Sequence, residues 1–168
     1  MTSATATMES VARSAADKEG KYLTFALGQE EYGLEILKVR EIIGYMDITA
    51  VPRTPAYVKG VINLRGQVIP VVDLRAKFDM NAIEKTEQTC IIVVEIAHGD
   101  GNISTGIIVD HVSEVLDIAG ENIEPAPEFG AGVETNFILG MGKIADSVKI
   151  LLDIDKVLCS DDLAGINT

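Results

Sequence analysis

The sequence contains few of the residues that build catalytic or metal-binding sites. Its 168 residues include no tryptophan, two histidines and two cysteines. Cys90 and Cys159 form no Cys-x-x-Cys pair, and two isolated histidines without a nearby cysteine do not make a typical zinc site. Because aromatic residues are only 5% of the chain, the core must be built from Val, Ile and Leu, which favour strands. We expect a β-rich protein without a metal or cofactor.

Positive charge and long apolar runs are also scarce. There are 14 Lys and Arg residues against 26 Asp and Glu residues, which gives a net charge of −12. Such a surface repels nucleic-acid phosphates and argues against a polybasic membrane anchor. No apolar run approaches the length of a membrane span. The Ala/Ser/Thr-rich segment Met1–Gly20 lacks the apolar region of a signal peptide and is interpreted as a flexible tail. We expect a cytoplasmic protein with reduced thiols, which a partner must recruit if it works at a membrane.

The most informative segment that is present runs from Val51 to Arg75. It predicts a strand over Val58–Leu64 and a second over Gln67–Leu74, joined by the pair Arg65-Gly66. Gly66 adopts a positive φ without steric cost, which a tight hairpin turn requires. The segment therefore predicts a β-hairpin with an arginine at its tip.

Four residues of this hairpin raise further questions. Pro70 cannot donate a hydrogen bond to a neighbouring strand, so it predicts an edge position or a bulge. Lys59, Arg65 and Asp73 are charges in an otherwise apolar neighbourhood. An arginine at a rigid hairpin tip is either an ordinary surface charge or a contact residue, and the pattern alone leaves both readings open.

The rest of the chain predicts mainly short strands separated by turns. Ile36–Ile43 is predicted as a short helical turn, because its apolar residues share one helical face. A short strand is predicted over Tyr45–Val51, and a terminal helix after Asp153. Further strands are predicted over Lys21–Gly28, Tyr32–Glu35, Cys90–Ile96, Thr105–Val109, His111–Ile118, Phe137–Ala145 and Val148–Asp153. Many short strands with regular turns predict a small barrel or sandwich.

The sequence offers no convincing catalytic group. Asp110 and His111 are adjacent, but neighbouring side chains on a strand point to opposite faces, so adjacency argues against a dyad. The GMGK motif at Gly140–Lys143 lacks the spacing of a phosphate-binding loop and is interpreted as a turn with a surface lysine. We predict no catalytic residues, and binding is the remaining kind of work. An enzyme with an unrecognised active site in a barrel is the alternative.

Several long motifs in series resemble the CheW family of bacterial chemotaxis adaptors. They are PAYVKGVINLRGQVIPVVDLR, EEYGLEILKVREIIG, IIVDHVSEVLDI, EPAPEFG and LGMGKIADSVKILLDIDKVL. They occur in the family's order and cover roughly residues 21–161. This resemblance implies two SH3-like five-stranded β-barrels packed on a shared hydrophobic core, with short helices. We place the CheW-like domain at residues 21–160, with the first barrel over about 21–73 plus 153–160 and the second over about 74–152.

The resemblance also implies partners and contact residues. A CheW-like adaptor links the cytoplasmic tips of methyl-accepting chemoreceptors to the regulatory domain of the histidine kinase CheA, at the inner face of the membrane. By matched motif, the receptor-binding residues are Val39, Glu41, Lys59, Gly60 and Arg65. We expect Arg65 to couple receptor contact to kinase control, through carboxylates on the receptor or within the groove. The Glu128–Thr135 loop is the candidate kinase contact.

Overall fold

The computed structural model describes residues 18–98, 100–127 and 135–158. It consists mainly of short strands, which follow the chain as β1 (Gly20–Leu27), β2 (Glu30–Glu35), β3 (Val39–Gly44), β4 (Val58–Leu64), β5 (Gln67–Asp73), β6 (Cys90–His98), β7 (Gly101–Val109), β8 (His111–Ile118), β9 (Ile123–Glu124), β10 (Ile138–Ile144) and β11 (Ser147–Leu152). Two four-residue helices, α1 (Leu74–Lys77) and α2 (Ile154–Val157), follow β5 and β11. Short 3-10 helices occupy Ile36–Lys38 and Gly120–Asn122.

These strands form two sheets, each of which fits an SH3-like barrel. The first sheet has the strand order β8-β1-β2-β11-β10-β9 and the second has the order β3-β6-β7-β5-β4. We call them the first and second barrel. The chain enters the second barrel through the 3-10 helix Ile36–Lys38 and returns to the first at Asp110, between β7 and β8. The predicted fold class, mainly β with two barrels, is confirmed.

The strands divide between the barrels differently from the expected boundaries. Strands β3, β4 and β5 lie in the second barrel, although residues up to 73 were expected in the first. Strands β8 to β11 lie in the first barrel, although they were expected in the second. The reason is that each sheet includes a parallel pair between strands that are distant in sequence, β2 with β11 and β5 with β7. Local apolar patterns carry no information about such pairing.

The largest hydrophobic core lies between the two barrels. It contains Phe25 and Leu34 from the first and Val72, Ile92 and Ile107 from the second, all essentially inaccessible to solvent. A row of aromatic rings extends it, with centroids 5.9 Å apart for Phe25–Tyr32, 6.0 Å for Tyr32–Phe78 and 5.6 Å for Phe78–Phe137. Strands from both barrels contribute side chains, so neither barrel can bury its apolar face without the other.

Two local predictions are wrong. Residues of the predicted helical turn Ile36–Ile43 form a single 3-10 turn and then strand β3. Their alternating exposure and β-branched residues suit a strand, and this strand pairs with β6 along its length. Within Tyr45–Val51 there is no strand, only an isolated bridge between Thr49 and Val61.

Pro70 lies in an interior strand, so its predicted edge position is also wrong. The opposite residue, Val61, directs both its N–H and its C=O to Thr49, at 2.9 Å each. The Val61–Pro70 pair therefore exchanges no hydrogen bonds, and a missing donor costs nothing there. Pairing of β5 with β7 begins at Val71, the residue after the proline.

The two hairpins β4–β5 and β10–β11 are built alike, 80 positions apart. Each has a register shift near its start, between Val58 and Gly60 in one and between Ile138 and Gly140 in the other. Each ends in an aspartate whose side chain accepts a hydrogen bond from the backbone of the following helix. The predicted turn at Arg65-Gly66 and the predicted terminal helix after Asp153 are confirmed, and Asp153 caps that helix.

Candidate partner-binding surface

The Arg65-Gly66 turn presents the arginine to solvent beside an acidic residue of β3. Arg65 and Gly66 have φ values of 53° and 86°, the left-handed pair of a type I′ turn. The Asn63 carboxamide accepts the Gly66 N–H at 2.9 Å and stabilises this turn. The Arg65 guanidinium donates to the Glu41 carboxylate. The pair links the two edges of the sheet, because β3 is one edge strand and Arg65 follows the other, β4.

The neighbouring carboxylate holds the Arg65 guanidinium in its charged form. The hydrogen bond that Arg65 donates to Glu41, and the negative charge of that carboxylate, raise the pKa of Arg65. The arginine side chain is 71% exposed, whereas Glu41 is 29% exposed. The guanidinium has five N–H donors in a planar fork, so a single carboxylate leaves donors directed to solvent. The arrangement can accept a further carboxylate or carbonyl from a partner.

A cleft of about 280 Å³ adjoins the pair. Arg40 crosses it and donates to the Ser104 hydroxyl at 2.9 Å, with the Glu95 carboxylate at 3.8 Å. Ile69 and Val93 supply part of the apolar floor. We call this cleft, with Glu41 and Arg65 at its rim, the Arg65 groove. Its mixture of charges over an apolar floor is typical of a protein contact surface.

Val39 lies next to this groove but points into the protein. It pairs with Val94 at a register shift before Glu41, and its side chain packs against the core between the barrels. Substituting it would change the position of β3 and of Glu41 with it. Its contribution to the surface is therefore indirect.

Gly60 and Lys59 lie at the opposite end of β4 from Arg65. Six residues at 3.3 Å per residue separate Lys59 from the tip by about 20 Å. Gly60 has a φ of 142°, and a Cβ there would lie 1.9 Å from the Thr49 carbonyl oxygen. The glycine thus permits close packing of its own chain rather than exposing a surface.

The lysine faces a second cavity, of about 290 Å³, at this end of the second barrel. Its Nζ is 3.9 Å from the Asp73 carboxylate, and its side chain is 44% exposed. The structure thus brings Glu41 and Arg65 together with Val39 behind them. Lys59 and Gly60 lie apart from that group.

Sequence reasoning missed the buried ion pair between Arg75 and Asp110. The Arg75 Nε and Nη2 each donate at 2.7 Å to the two oxygens of Asp110, which also accepts the Gly28 N–H at 2.7 Å. The two side chains are only 12% and 16% exposed. The pair joins α1, the crossover between the barrels and the β1–β2 turn. The only sequence signal was an arginine directly after the buried hairpin.

These contacts determine the protonation state of Asp110. Burial raises the pKa of this carboxyl, but the hydrogen bonds from Arg75 and Gly28 and the charge of Arg75 outweigh it and lower the pKa. The carboxylate is thus fully engaged in structure and is not available to His111 as a catalytic partner.

Other candidate chemistry has no support within the described residues. No group of three or more His, Cys, Asp and Glu side chains there is placed to hold a metal ion. Burial raises the pKa of the Cys90 thiol, which makes it a weaker nucleophile near neutral pH. No helix in this part of the chain is long and apolar enough to cross a membrane. Cys159, most of the tail Met1–Gly20 and residues 128–134 of the predicted kinase contact lie outside the described residues.

Two barrels that share a core and present a charged groove fit a partner-binding protein, a function that the fold alone does not define. The chain belongs to the CheW family, since it matches the CheW-like domain over residues 21–162. It is 42% identical to chemotaxis protein CheW of Klebsiella aerogenes, over 95% of each chain. It is 36% identical to the Rhizobium meliloti protein of that name, over 83% of this chain and 88% of the other.

A solved structure agrees with these relatives. The crystal structure of the scaffolding protein CheW from Thermoanaerobacter tengcongensis superposes with a TM-score of 0.74 at 35% identity, over 86% of this chain and 95% of that one. The predicted family is therefore confirmed. The chain is a chemotaxis scaffold or adaptor, not an enzyme.

Proposed function

We propose that this chain couples the cytoplasmic tips of chemoreceptors to the histidine kinase CheA, so that receptors control kinase activity and arrays assemble. The Arg65 groove is the receptor-facing surface, and the regulatory domain of the kinase is the second partner. The protein works in the cytoplasm and reaches the inner face of the membrane through the receptors.

The observation that carries this proposal is the exposed Glu41–Arg65 pair at the rim of the groove. An ion pair this exposed adds little to fold stability. Its geometry nevertheless leaves Arg65 donors directed to solvent next to an apolar floor. A receptor carboxylate can bind these donors directly or exchange with Glu41, and either event changes the charge balance along β3.

Two of the other proposed receptor-binding residues, Val39 and Gly60, act by positioning the surface. Val39 sets the place of Glu41 from the core side. Gly60 allows the backbone of Thr49 to pack closely against β4, which fixes the position of the hairpin. Lys59 would contact a receptor only if the receptor extends along the whole of β4. The Glu128–Thr135 loop is proposed as the kinase contact from motif resemblance alone.

Reconstituted kinase activity tests this function. The protein is mixed with a CheA-type kinase and membranes that carry receptors, and phosphate transfer is followed with and without it. We expect receptor-controlled kinase activity only when the protein is present. Arg65→Ala should lower receptor-dependent activation at least about tenfold while the thermal unfolding midpoint stays unchanged, because most of the side chain is in solvent.

A matched control is available in the other barrel. Lys143 forms a comparable exposed ion pair with Glu124 at 2.9 Å, on the corresponding hairpin. Lys143→Ala should leave activation intact. Normal activation by Arg65→Ala would remove this residue from the proposal. Absence of binding to both kinase and receptors would contradict the coupling function as a whole.

A further inference from the structure

The cavity at the far end of the second barrel is lined by more cationic than acidic side chains, although the chain has a net charge of −12. Its lining includes Lys59, Arg75 and Lys85, with Asp73 and Asp110 as the acidic members. Arg75 and Asp110 neutralise each other in the floor. This leaves two lysines and one aspartate to determine the charge that a ligand meets.

Neither lysine donates a hydrogen bond to a carboxylate among the described residues. Lys59 Nζ is 3.9 Å from Asp73 Oδ2, which is beyond hydrogen-bond distance. The other oxygen of Asp73 accepts the Arg75 backbone N–H at 3.0 Å. Lys85 Nζ lies over the ring of Tyr45, 4.4 Å from its centroid, a contact that leaves its N–H donors available. Both ammonium groups can therefore donate to an incoming anion.

The cavity also has an apolar side. Ile83, which is half exposed, lies at its edge, and Ile108 and Ala82 also line it. Two ammonium groups and several apolar side chains around one cavity suit an anion attached to a short hydrocarbon group. The volume of about 290 Å³ accommodates a side chain or a small acid, not a large cofactor.

The first barrel shows that this charge is not a property of the fold. At the equivalent positions of its hairpin and helix, 80 residues on, Leu139 replaces Lys59 and Asp155 replaces Arg75. Leu139 is buried, and Asp155 is paired with Lys38 at 2.7 Å. The same backbone thus presents an acidic group in one barrel and a basic cavity in the other.

We propose that the cavity lined by Lys59, Lys85 and Ile83 is a binding site for a carboxylate on a short apolar stem. The ligand is either a glutamate side chain of a protein partner or a small free acid, which share this chemistry. The site shares only Lys59 with the residues proposed for receptor binding and lies about 20 Å from Arg65 along β4. Its ligand can be tested without receptor or kinase, so its failure is distinguishable from a failure of the coupling function.

Two-dimensional NMR on the ¹⁵N-labelled full chain at low salt provides the test. The probes are N-acetyl-glutamate N-methylamide, its neutral glutamine counterpart and sodium glutarate. We expect saturable shifts at the Tyr45, Lys59 and Lys85 amides with an acidic probe and none with the glutamine compound. Preference for the blocked glutamate over glutarate identifies a partner's side chain as the source, and the reverse preference identifies a free acid.

Charge variants distinguish binding at this cavity from nonspecific attraction of the anion to surface lysines. The double substitution Lys59→Gln and Lys85→Gln should lower the affinity for the acidic probe at least about tenfold. The variant Lys143→Gln, changed on the other barrel, should bind the probe normally. Both variants must keep the dispersed spectrum of the folded chain. No saturable shift with any probe, equal binding of the glutamine compound, or unchanged affinity in the double variant would overturn the proposal.

Discussion

The hairpins β4–β5 and β10–β11 share a backbone and differ in what they present. In the second barrel, Arg65 stands at the turn and Ile69 lies beneath the open groove. In the first barrel, the corresponding residues are Ala145 and Lys149. Lys149 donates to Glu31 at 2.7 Å and is only 15% exposed, so it occupies the equivalent face with an internal ion pair. The hydrogen bond from Lys149 outweighs burial and lowers the pKa of Glu31.

The backbone features of the two hairpins are shared, whereas the side chains that they present are not. Turn, register shift and helix-capping aspartate occur in both hairpins, because each barrel needs them to close. The charged side chains, by contrast, are arranged differently in the two barrels. The two hairpins thus share a backbone, but the first barrel engages Lys149 in an internal ion pair, whereas the second presents Arg65 beside a groove.

The largest expected difference between the hairpins concerns their glycines. A Cβ at Gly60, where φ is positive, would lie 1.9 Å from the Thr49 carbonyl oxygen, whereas a Cβ at Gly140 would lie 2.7 Å from the Ile123 Cγ2 and 3.2 Å from the Glu124 carbonyl oxygen. Gly60→Ala should lower the free energy of unfolding by roughly 3–4 kcal/mol and Gly140→Ala by about 1–2 kcal/mol. Urea unfolding of both variants measures this, and equal losses would contradict the contrast.

The ion pairs that join each helix to a crossover should differ next. Arg75→Met leaves the buried Asp110 carboxylate with little compensation and should cost about 3 kcal/mol. Lys38→Met breaks the Lys38–Asp155 pair, whose side chains are about one third exposed, and should cost about 0.5–1 kcal/mol. Urea titrations at neutral pH compare the two, and a larger loss in Lys38→Met would refute the ranking.

The pH dependence sharpens this prediction. The folded-state pKa of Asp110 lies below its unfolded value of about 3.9. Its contribution to stability is therefore present above about pH 4 and is lost as the pH falls through the lower folded pKa. The gap between wild type and Arg75→Met should narrow as the pH falls below about 4. A constant gap would show that Arg75 stabilises by packing alone.

The smallest expected effect compares a buried threonine of each barrel. Thr24 exchanges hydrogen bonds with the backbone of Glu114, at 2.9 and 3.2 Å. The Thr105 hydroxyl is buried without a hydrogen-bond partner among the described residues. Thr24→Val should cost about 1–2 kcal/mol, whereas Thr105→Val should be neutral or stabilising by up to about 1 kcal/mol. Thermal unfolding of both variants decides this, and a loss in Thr105→Val would indicate an unseen partner.

The local predictions that succeeded rest on short-range chemistry. Gly66 in a two-residue loop, Asp153 ahead of a helix and the apolar run of β6 each depend only on their neighbours. The segment Ile36–Ile43 failed because its apolar spacing suits both a helical face and a half-buried strand. Pairing with β6, about 50 residues away, decided between them.

By itself the sequence determined the β-rich class, the central hairpin, the family and the lack of an obvious catalytic group. Only the tertiary structure decided which strands share a barrel and that Glu41 meets Arg65 across 24 residues. It also revealed that Lys59 and Lys85 share a cavity. The physical reason is that turns, caps and apolar runs act between neighbours in the chain. Sheet closure and ion pairing instead depend on distances in space, which chain order does not contain.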